Sequence, residues 1–107
     1  IMLAKLIGVE WGSRGVRGNA VVAGQCRTAM TEAMFQDPEI AKGRAGVVPM
    51  NRVALASEIA DACVFLMSDR SSYVNASTLT VDGGQVESKM MHTPGRNWGG
   101  KKIDYKA

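Results

Sequence analysis

The sequence predicts an α/β protein built around parallel strands, and three observations favour this fold class. Two segments carry apolar residues at helical spacing, two short apolar runs are typical of strands, and the order is helix, strand, long loop, helix, strand. Strands joined through a helix of this length are expected to be parallel, with a right-handed crossover. Because neither run alternates cleanly, we expect both strands to be buried on two faces.

The first helix and strand occupy the start of the chain. The helical pattern is carried by Leu3, Leu6, Ile7 and Trp11. Segment 12–15, with two glycines, is predicted to end the helix, and the next strand is predicted over 16–22, with Ala23 and Gly24 closing it. The pattern is already under way at Ile1, without a capping residue before it, so we expect the chain to be a piece of a longer fold.

The second half is predicted to repeat helix and strand after a long connection. Residues 25–50 are interpreted as a mobile loop containing one short helix. A second helix is predicted from the spacing of Leu55, Ile59, Ala62, Cys63 and Leu66, with Ser57 as its cap. The apolar run 62–67 is expected to be a buried part of a helix. The last strand is predicted over 78–82, where Gly83 and Gly84 end it.

Charge divides the chain into two parts. Residues 1–84 contain eight basic and eight acidic residues, so the net charge of +3 comes from 85–107. We therefore predict a domain over 1–84 and a basic, glycine-containing tail over 85–107. The basic residues of that tail are Lys89, Arg96, Lys101, Lys102 and Lys106. Such a tail attracts nucleic acid or simply forms a solvated arm, and the arm is the preferred interpretation because no nucleic-acid motif accompanies it.

Composition and cysteine usage narrow the class of protein. The hydrophobic fraction of 46% is ordinary for a globular domain, no apolar run approaches the ~20 residues of a membrane span, and no signal peptide is recognisable. Cys26 and Cys63 form no metal-binding pair, and His92 is the only histidine, so no metal site is predicted. Two isolated cysteines suit a reducing compartment, and we expect a cytoplasmic protein.

Several stretches resemble the classical short-chain dehydrogenase/reductase family. Segment 10–21, EWGSRGVRGNAV, is similar to the family's helix–turn–strand pattern, and segment 25–30, QCRTAM, is similar to the residues after its "PG" turn. Segments 51–69 and 79–84, the latter reading LTVDGG, resemble its C-terminal helix and last strand. The resemblance covers residues 1–84 and implies the C-terminal part of a Rossmann-like, doubly wound parallel sheet, incomplete by itself.

The resemblance implies a nicotinamide-cofactor site at the end of the first strand. In the family this strand end and the following loop hold the nicotinamide, which places Ala23, Gly24, Cys26 and Thr28 at the NAD or NADP site. Cys26 would use its backbone and Thr28 its hydroxyl. Gly24 would let the ring approach closely, in a conformation with positive φ. The choice between NAD and NADP depends on residues outside this sequence.

Several residues depart from the family pattern. The proline of the "PG" turn is replaced by Ala23, which removes a rigid wall of the ring pocket, and Gly18 is expected to weaken a strand interior. The catalytic Ser, Tyr and Lys of the family precede the matching region. Tyr73 is followed four residues later by Ser77 rather than Lys. No catalytic residue is therefore assigned, and the chain by itself is predicted to be inactive.

The segment after the site has two open interpretations. Met30, Met34 and Phe35 lie at helical spacing and belong either to the core or, as the resemblance implies, to a lid that contacts the substrate. A separate functional alternative is a thiol enzyme that uses Cys26 as nucleophile and His92 as base, but the spacing of these two residues does not support it.

The sequence thus favours part of an oxidoreductase that interconverts an alcohol and a ketone by hydride transfer. Its partners would be a small-molecule substrate, the remaining N-terminal part of the fold, and further subunits in a homodimer or homotetramer. No nucleic acid or membrane partner is expected. The alternative is a non-catalytic binding or oligomerisation fragment of the same fold.

Overall fold

Two parallel strands from opposite ends of the sequence form the centre of the fold. The computed structural model describes residues 1–88. Strand β1 (Ala20–Ala23) pairs with β4 (Thr78–Val81) in parallel. A second, short parallel pair joins β2 (Cys26–Arg27) to β3 (Ala54–Leu55). The predicted parallel α/β arrangement is confirmed.

The described part of the chain contains four α-helices. They are α1 (Met2–Trp11), α2 (Glu32–Phe35), α3 (Pro38–Gly46) and α4 (Ala56–Met67), of which α4 packs against the strands. As predicted, α1 ends in the glycine turn: a single 3₁₀ turn follows, and Gly15 adopts φ 80° and donates its N–H to the carbonyl oxygen of Gly12 at 3.0 Å. A left-handed residue at this position is a common way to end a helix, and glycine adopts it at little cost.

The segment 25–50 is more ordered than the loop that the sequence predicts. It contains β2, α2 and α3, two helices where one was expected. Asp37 caps α3, because its Oδ1 accepts hydrogen bonds from the N–H groups of Glu39 at 2.9 Å and Ile40 at 3.3 Å. Pro38 occupies the first turn, where the absent N–H costs nothing. The Asp-Pro pair is therefore a helix start, inside the segment where the sequence predicts a loop with one short helix.

Strand β1 begins four residues later than predicted. Residues 16–19 are not in a strand, because loop contacts engage their polar groups. The Gly18 N–H donates to Asn75 Oδ1 at 2.9 Å, while the Asn19 side chain bonds the Val74 carbonyl at 2.9 Å and the Ser77 N–H at 3.0 Å. Gly18 consequently does not weaken a strand interior. Strand β4 likewise ends at Val81, one residue earlier than predicted.

Position 18 requires glycine because its backbone lies in close contact with the backbone of α1. A Cβ on Gly18 would lie 2.1 Å from the Ala4 carbonyl oxygen and 2.7 Å from the Gly8 nitrogen. Such distances are far inside van der Waals contact, so a side chain would push the helix away from the loop. Asn75 closes the contact by donating from Nδ2 to the Gly8 carbonyl at 2.7 Å.

The start of α4 is capped by a residue other than the one predicted. The N-cap position is Leu55, and Ser57 lies inside the helix. The Leu55 N–H donates to Glu58 Oε2 at 2.8 Å, which is the glutamate half of a capping box. Glu58 also forms a bidentate ion pair with Arg52, at 2.7 Å and 2.6 Å. A glutamate carboxylate inside the first turn, rather than a serine hydroxyl at the N-cap, therefore accepts a free N–H at this helix start.

Burial is much lower than the apolar runs predict. No residue of α4 or of the central strands is buried: Val64 is 58% exposed and Met67 75%. On α1, Leu3 is 72% exposed. The two-sided covering expected for these strands and for run 62–67 is therefore not provided by residues 1–88, and apolar faces of this size normally have partners.

No helix within residues 1–88 is long and apolar enough to cross a membrane. The basic tail, including His92, lies outside the described residues, so the domain boundary at 84/85 stays a prediction.

Candidate functional site

A cleft opens at the carboxyl ends of β1 and β4. Because the strands are parallel, with Ala23 opposite Val81, both strands end at the same edge of the sheet. The Gly24 N–H donates to the Val81 carbonyl at 2.9 Å, and this hydrogen bond holds the turn after β1 against the end of β4. The residues lining the cleft are Val22, Ala23, Gly24, Gln25, Val47, Asp82, Gln85, Val86 and Ser88. Its walls come from the turn after β1, the residue after α3 and the turn after β4.

Gly24 is required here by Asp82, and its φ is not positive. A Cβ on Gly24 would lie 2.6 Å from both Cα and Cβ of Asp82. The described glycines with left-handed φ are Gly15, Gly83 and Gly84, so the predicted positive φ at Gly24 is wrong. Because Gly24 has no side chain, the turn after β1 can lie directly against Asp82 in the turn after β4.

Asp82 fixes the turn that follows β4. Its Oδ1 accepts the Gly84 N–H and its Oδ2 accepts the Val86 N–H, each at 2.8 Å. These hydrogen bonds hold the pKa of the Asp82 carboxyl below its ordinary value, and the bond from Val86 has the largest effect. Gly83 and Gly84 take φ 63° and 87°, which the tight turn requires. Hydrogen bonds therefore hold both turns: that from Gly24 to Val81 holds the turn after β1, and those to Asp82 hold the turn after β4.

Cys26 and Thr28 lie beyond the cleft, on β2 and the turn after it. Cys26 pairs with Ala54, and its carbonyl accepts a hydrogen bond from Thr31 Oγ1 at 3.1 Å. Thr31 Oγ1 also accepts the Thr28 N–H at 2.9 Å, and lies 3.3 Å from the exposed Thr28 hydroxyl. Thr31, which the sequence reasoning missed, therefore orders this turn. Of the four predicted cofactor residues, Ala23 and Gly24 share the cleft.

The three predicted lid residues have different environments. Phe35 is 9% exposed and belongs to the small core, whereas Met30 is 93% exposed. Met34 lies between these extremes, with its Sδ 3.6 Å from Arg44 Nη2. The core interpretation therefore holds for Phe35, while Met30 is free to contact a substrate.

Ion pairing ties β2 to α2. Arg27 forms a bidentate pair with Glu32 of α2, and its guanidinium lies 5.9 Å from the ring centre of Phe35. The hydrogen bond from Arg27 lowers the pKa of the Glu32 carboxyl. Gln25 adds a second connection, because its side chain exchanges hydrogen bonds of 3.3 Å with the carbonyl and the guanidinium of Arg44. The five-residue spacing of Arg27 and Glu32 gave no helical signal, so these contacts were not predicted.

The fold and this edge define a Rossmann-like α/β protein, in which ligands bind at the carboxyl ends of parallel strands. Residues 1–85 match the family model described as enoyl-(acyl carrier protein) reductase. The chain belongs to the short-chain dehydrogenase/reductase family. The matched residues are the N-terminal part of this chain, and the prediction that they correspond to the C-terminal portion of the family's domain is not supported by the match itself.

Curated relatives and solved structures agree with this family. The chain is 39% identical over 85 residues to 3beta-hydroxysteroid dehydrogenase 1 of Eggerthella lenta, covering 79% of this chain and 33% of that protein. It is 43% identical over 82 residues to galactitol 2-dehydrogenase (L-tagatose-forming) of Cereibacter sphaeroides, covering 77% and 32%. The chain therefore spans about a third of the length of the curated relatives it matches.

The solved structures share the predicted Rossmann-like fold. A gluconate 5-dehydrogenase from Burkholderia cenocepacia J2315, in complex with NADP and tartrate, superposes with TM-score 0.71 at 30% identity, covering 80% of this chain and 34% of that one. A 4-hydroxyisoleucine dehydrogenase complexed with NADH gives 0.77 at 25%, covering 82% and 36%. The relatives are dehydrogenases and reductases, and both of these solved structures hold a nicotinamide cofactor.

Proposed function

We propose that this chain is part of an NAD(P)-dependent oxidoreductase that interconverts an alcohol and a ketone. The observation that carries the proposal is the cleft between the turns after β1 and β4, at the edge of a parallel sheet where this fold class binds nucleotides. In this proposal the chain supplies the nicotinamide-side loop and the lid. It supplies none of the family's catalytic Ser, Tyr and Lys.

The residues at the cleft suit a flat, partly apolar ring. Ala23 and Gly24 present almost no side chain, and Val22 adds an apolar surface beside them. Outside the cleft, the exposed hydroxyl of Thr28 is available to hydrogen-bond a carboxamide or a phosphate of the same cofactor. A bound nicotinamide would supply the hydride chemistry, and this chain would orient the ring and exclude water from one side of it.

The remaining part of the fold would come from further polypeptide. The relatives are about three times as long as the matched segment, and α1, α4 and both central strands carry uncovered apolar residues. In the proposal those faces pack against that polypeptide or against further subunits of a homo-oligomer. We place the complete protein in the cytoplasm.

A fusion tests this proposal. The complete chain, residues 1–107, is joined behind the part of galactitol 2-dehydrogenase that precedes its matched segment, and this fusion is called the completed domain. We expect it to bind NAD(H) or NADP(H), measured by fluorescence titration and calorimetry, and to oxidise an alcohol. The 107-residue chain alone is the matched control and should show no turnover. A folded fusion that binds neither cofactor would contradict the proposal.

A non-catalytic association fragment is the second candidate, and the exposed face of α1 favours it. Leu6 and Ile7 are 48% and 39% exposed on that helix, beside Leu3. In this case the 107-residue chain would associate by itself. Sedimentation of the chain with and without Leu3→Asp distinguishes the two, since only the second candidate requires association of the isolated chain.

A further inference from the structure

The turn after β4 supports the turn after β1 directly. A Cβ on Gly24 would lie 2.6 Å from both Cα and Cβ of Asp82, so the two backbones are in contact. The Gly24 N–H also donates to the carbonyl of Val81, the residue before Asp82, at 2.9 Å. Any movement of Asp82 is therefore passed to Gly24, which belongs to the proposed cofactor site.

The same turn also contacts segment 48–50, which follows α3. A Cβ on Gly83 would lie 2.7 Å from Val48 Cγ1, and a Cβ on Gly84 would lie 3.3 Å from Pro49 Cγ. Val48 is only 4% exposed, so this contact is part of the core and is not a loose surface approach. The turn after β4 thus touches both the turn after β1 and the end of the segment 25–50.

The Asp82 carboxylate determines the shape of this turn. Gly83 and Gly84 have left-handed φ, and glycine pairs by themselves have access to many other conformations. The side chain of Asp82 selects one of them, because its Oδ1 accepts the Gly84 N–H and its Oδ2 accepts the Val86 N–H, each at 2.8 Å. Without these two hydrogen bonds, the backbone of the turn is free to leave its contacts on both sides.

We propose that Asp82 is a positioning residue, whose carboxylate places the turn after β1 and segment 48–50 together and thereby sets the affinity for the nicotinamide cofactor. This inference rests on the proposed function, which puts the cofactor at the turn after β1. Asp82 acts through the backbone, since N–H groups of its own turn engage both of its oxygens. It takes no part in hydride or proton transfer.

Two substitutions of Asp82 in the completed domain test the proposal. Asp82→Ala removes both acceptors, whereas Asp82→Asn keeps one acceptor oxygen and the shape of the side chain. We expect Asp82→Ala to raise the Kd for the nicotinamide cofactor about tenfold, the scale of one lost hydrogen bond to a charged group. The Kd of Asp82→Asn should lie between those of the parent and Asp82→Ala. Calorimetry measures the Kd, well below the unfolding temperature of each variant.

Gly18→Val is the control for a general loss of stability. Its side chain would overlap α1 at the opposite end of β1, so it should lower stability and leave the Kd unchanged. Amide exchange followed by NMR gives a local readout that needs no cofactor. Asp82→Ala should speed exchange of the Gly24 N–H and spare the Ala20 N–H, which donates to the Ser77 carbonyl at 2.9 Å. Gly18→Val should have the reverse effect.

The outcomes separate the inference from the proposed function. If the parent binds cofactor and neither substitution of Asp82 changes the Kd, the inference is overturned and the proposed function stands. An equal rise of Kd in Gly18→Val also overturns it, because affinity would then follow overall stability. Asp82→Asn carries the test if Asp82→Ala does not fold. Loss of cofactor binding in the unsubstituted completed domain overturns the proposed function, and with it the role of Asp82 in affinity.

Discussion

Gly24 and Asp82 lie so close that a Cβ on Gly24 would be 2.6 Å from the Asp82 Cα. The two residues follow β1 and β4, whose parallel pairing brings the ends of both strands to one edge. Asp82 in turn binds the backbone of its own turn through both carboxylate oxygens. The geometry of the candidate site is therefore set by contact between two turns that are 58 residues apart in sequence.

Gly24→Ala should destabilise the completed domain by about 1–3 kcal/mol, because the added methyl overlaps backbone atoms of Asp82 rather than a movable side-chain end. Denaturant unfolding measures the change. Gly43→Ala in α3 is the control, since a Cβ there meets nothing and a helical Gly→Ala change should stabilise by about 0.5–1 kcal/mol. Equal effects of the two substitutions would show that Gly24 and Asp82 are not in contact.

Gly18→Val should destabilise the completed domain by about 1–3 kcal/mol. The reason is the 2.1 Å separation between a Cβ at Gly18 and the Ala4 carbonyl oxygen. Gly46→Ala, at the open end of α3, is the control and should be tolerated. Unchanged or increased stability of Gly18→Val would mean that α1 lies further from this loop.

Ala76→Gly should stabilise the completed domain by up to about 1 kcal/mol. Ala76 has φ 51°, where a residue with a Cβ is strained by about 1–2 kcal/mol, and the greater freedom of glycine in the unfolded chain offsets part of the gain. Ala60→Gly, in the middle of α4, should destabilise by about 1 kcal/mol. Thermal unfolding of both variants checks the prediction, which requires opposite signs.

The pair Arg52–Glu58 should make stability depend on pH in the acid range. Hydrogen bonds from Arg52, and then from the Leu55 N–H, lower the pKa of Glu58 from an ordinary 4.5 to about 2. A lowered folded-state pKa means that this contribution is complete above about pH 4.5 and is lost as pH falls towards 2. The free energy of unfolding of Glu58→Gln should therefore change less over this range than that of the parent. Parallel pH profiles would contradict the prediction.

Thr28→Ala should weaken cofactor binding by about 0.5–1.5 kcal/mol, or roughly two- to tenfold, if its exposed hydroxyl makes one neutral hydrogen bond to the cofactor. Thermal stability should barely change, because the side chain has a single long contact of 3.3 Å, to Thr31. Thr78→Ala, an exposed threonine at the far end of β4, is the control. Equal cofactor affinity in the parent and both variants would remove Thr28 from the proposed site.

Local signals predicted much of this fold. Apolar spacing located α1 and α4, and the paired glycines located the ends of α1 and β4, because such features depend on neighbours a few residues away. The Asp-Pro pair that starts α3 is also a local signal, and the prediction of one short helix within 25–50 did not use it. Four site residues followed from resemblance to a family, and their assignment stays a prediction.

The sequence by itself determined the class of fold, the order of α1, β1, α4 and β4, and the family, since periodicity, turn residues and motif order are all written along the chain. Only the tertiary structure decided why Gly24 and Gly18 lack side chains, that Phe35 is in the core while Met30 is exposed, and that Asp82 holds the turn beside the cleft. The physical reason is that these properties depend on distances between segments remote in sequence. Parallel pairing of β1 with β4 sets those distances, and no local pattern encodes them.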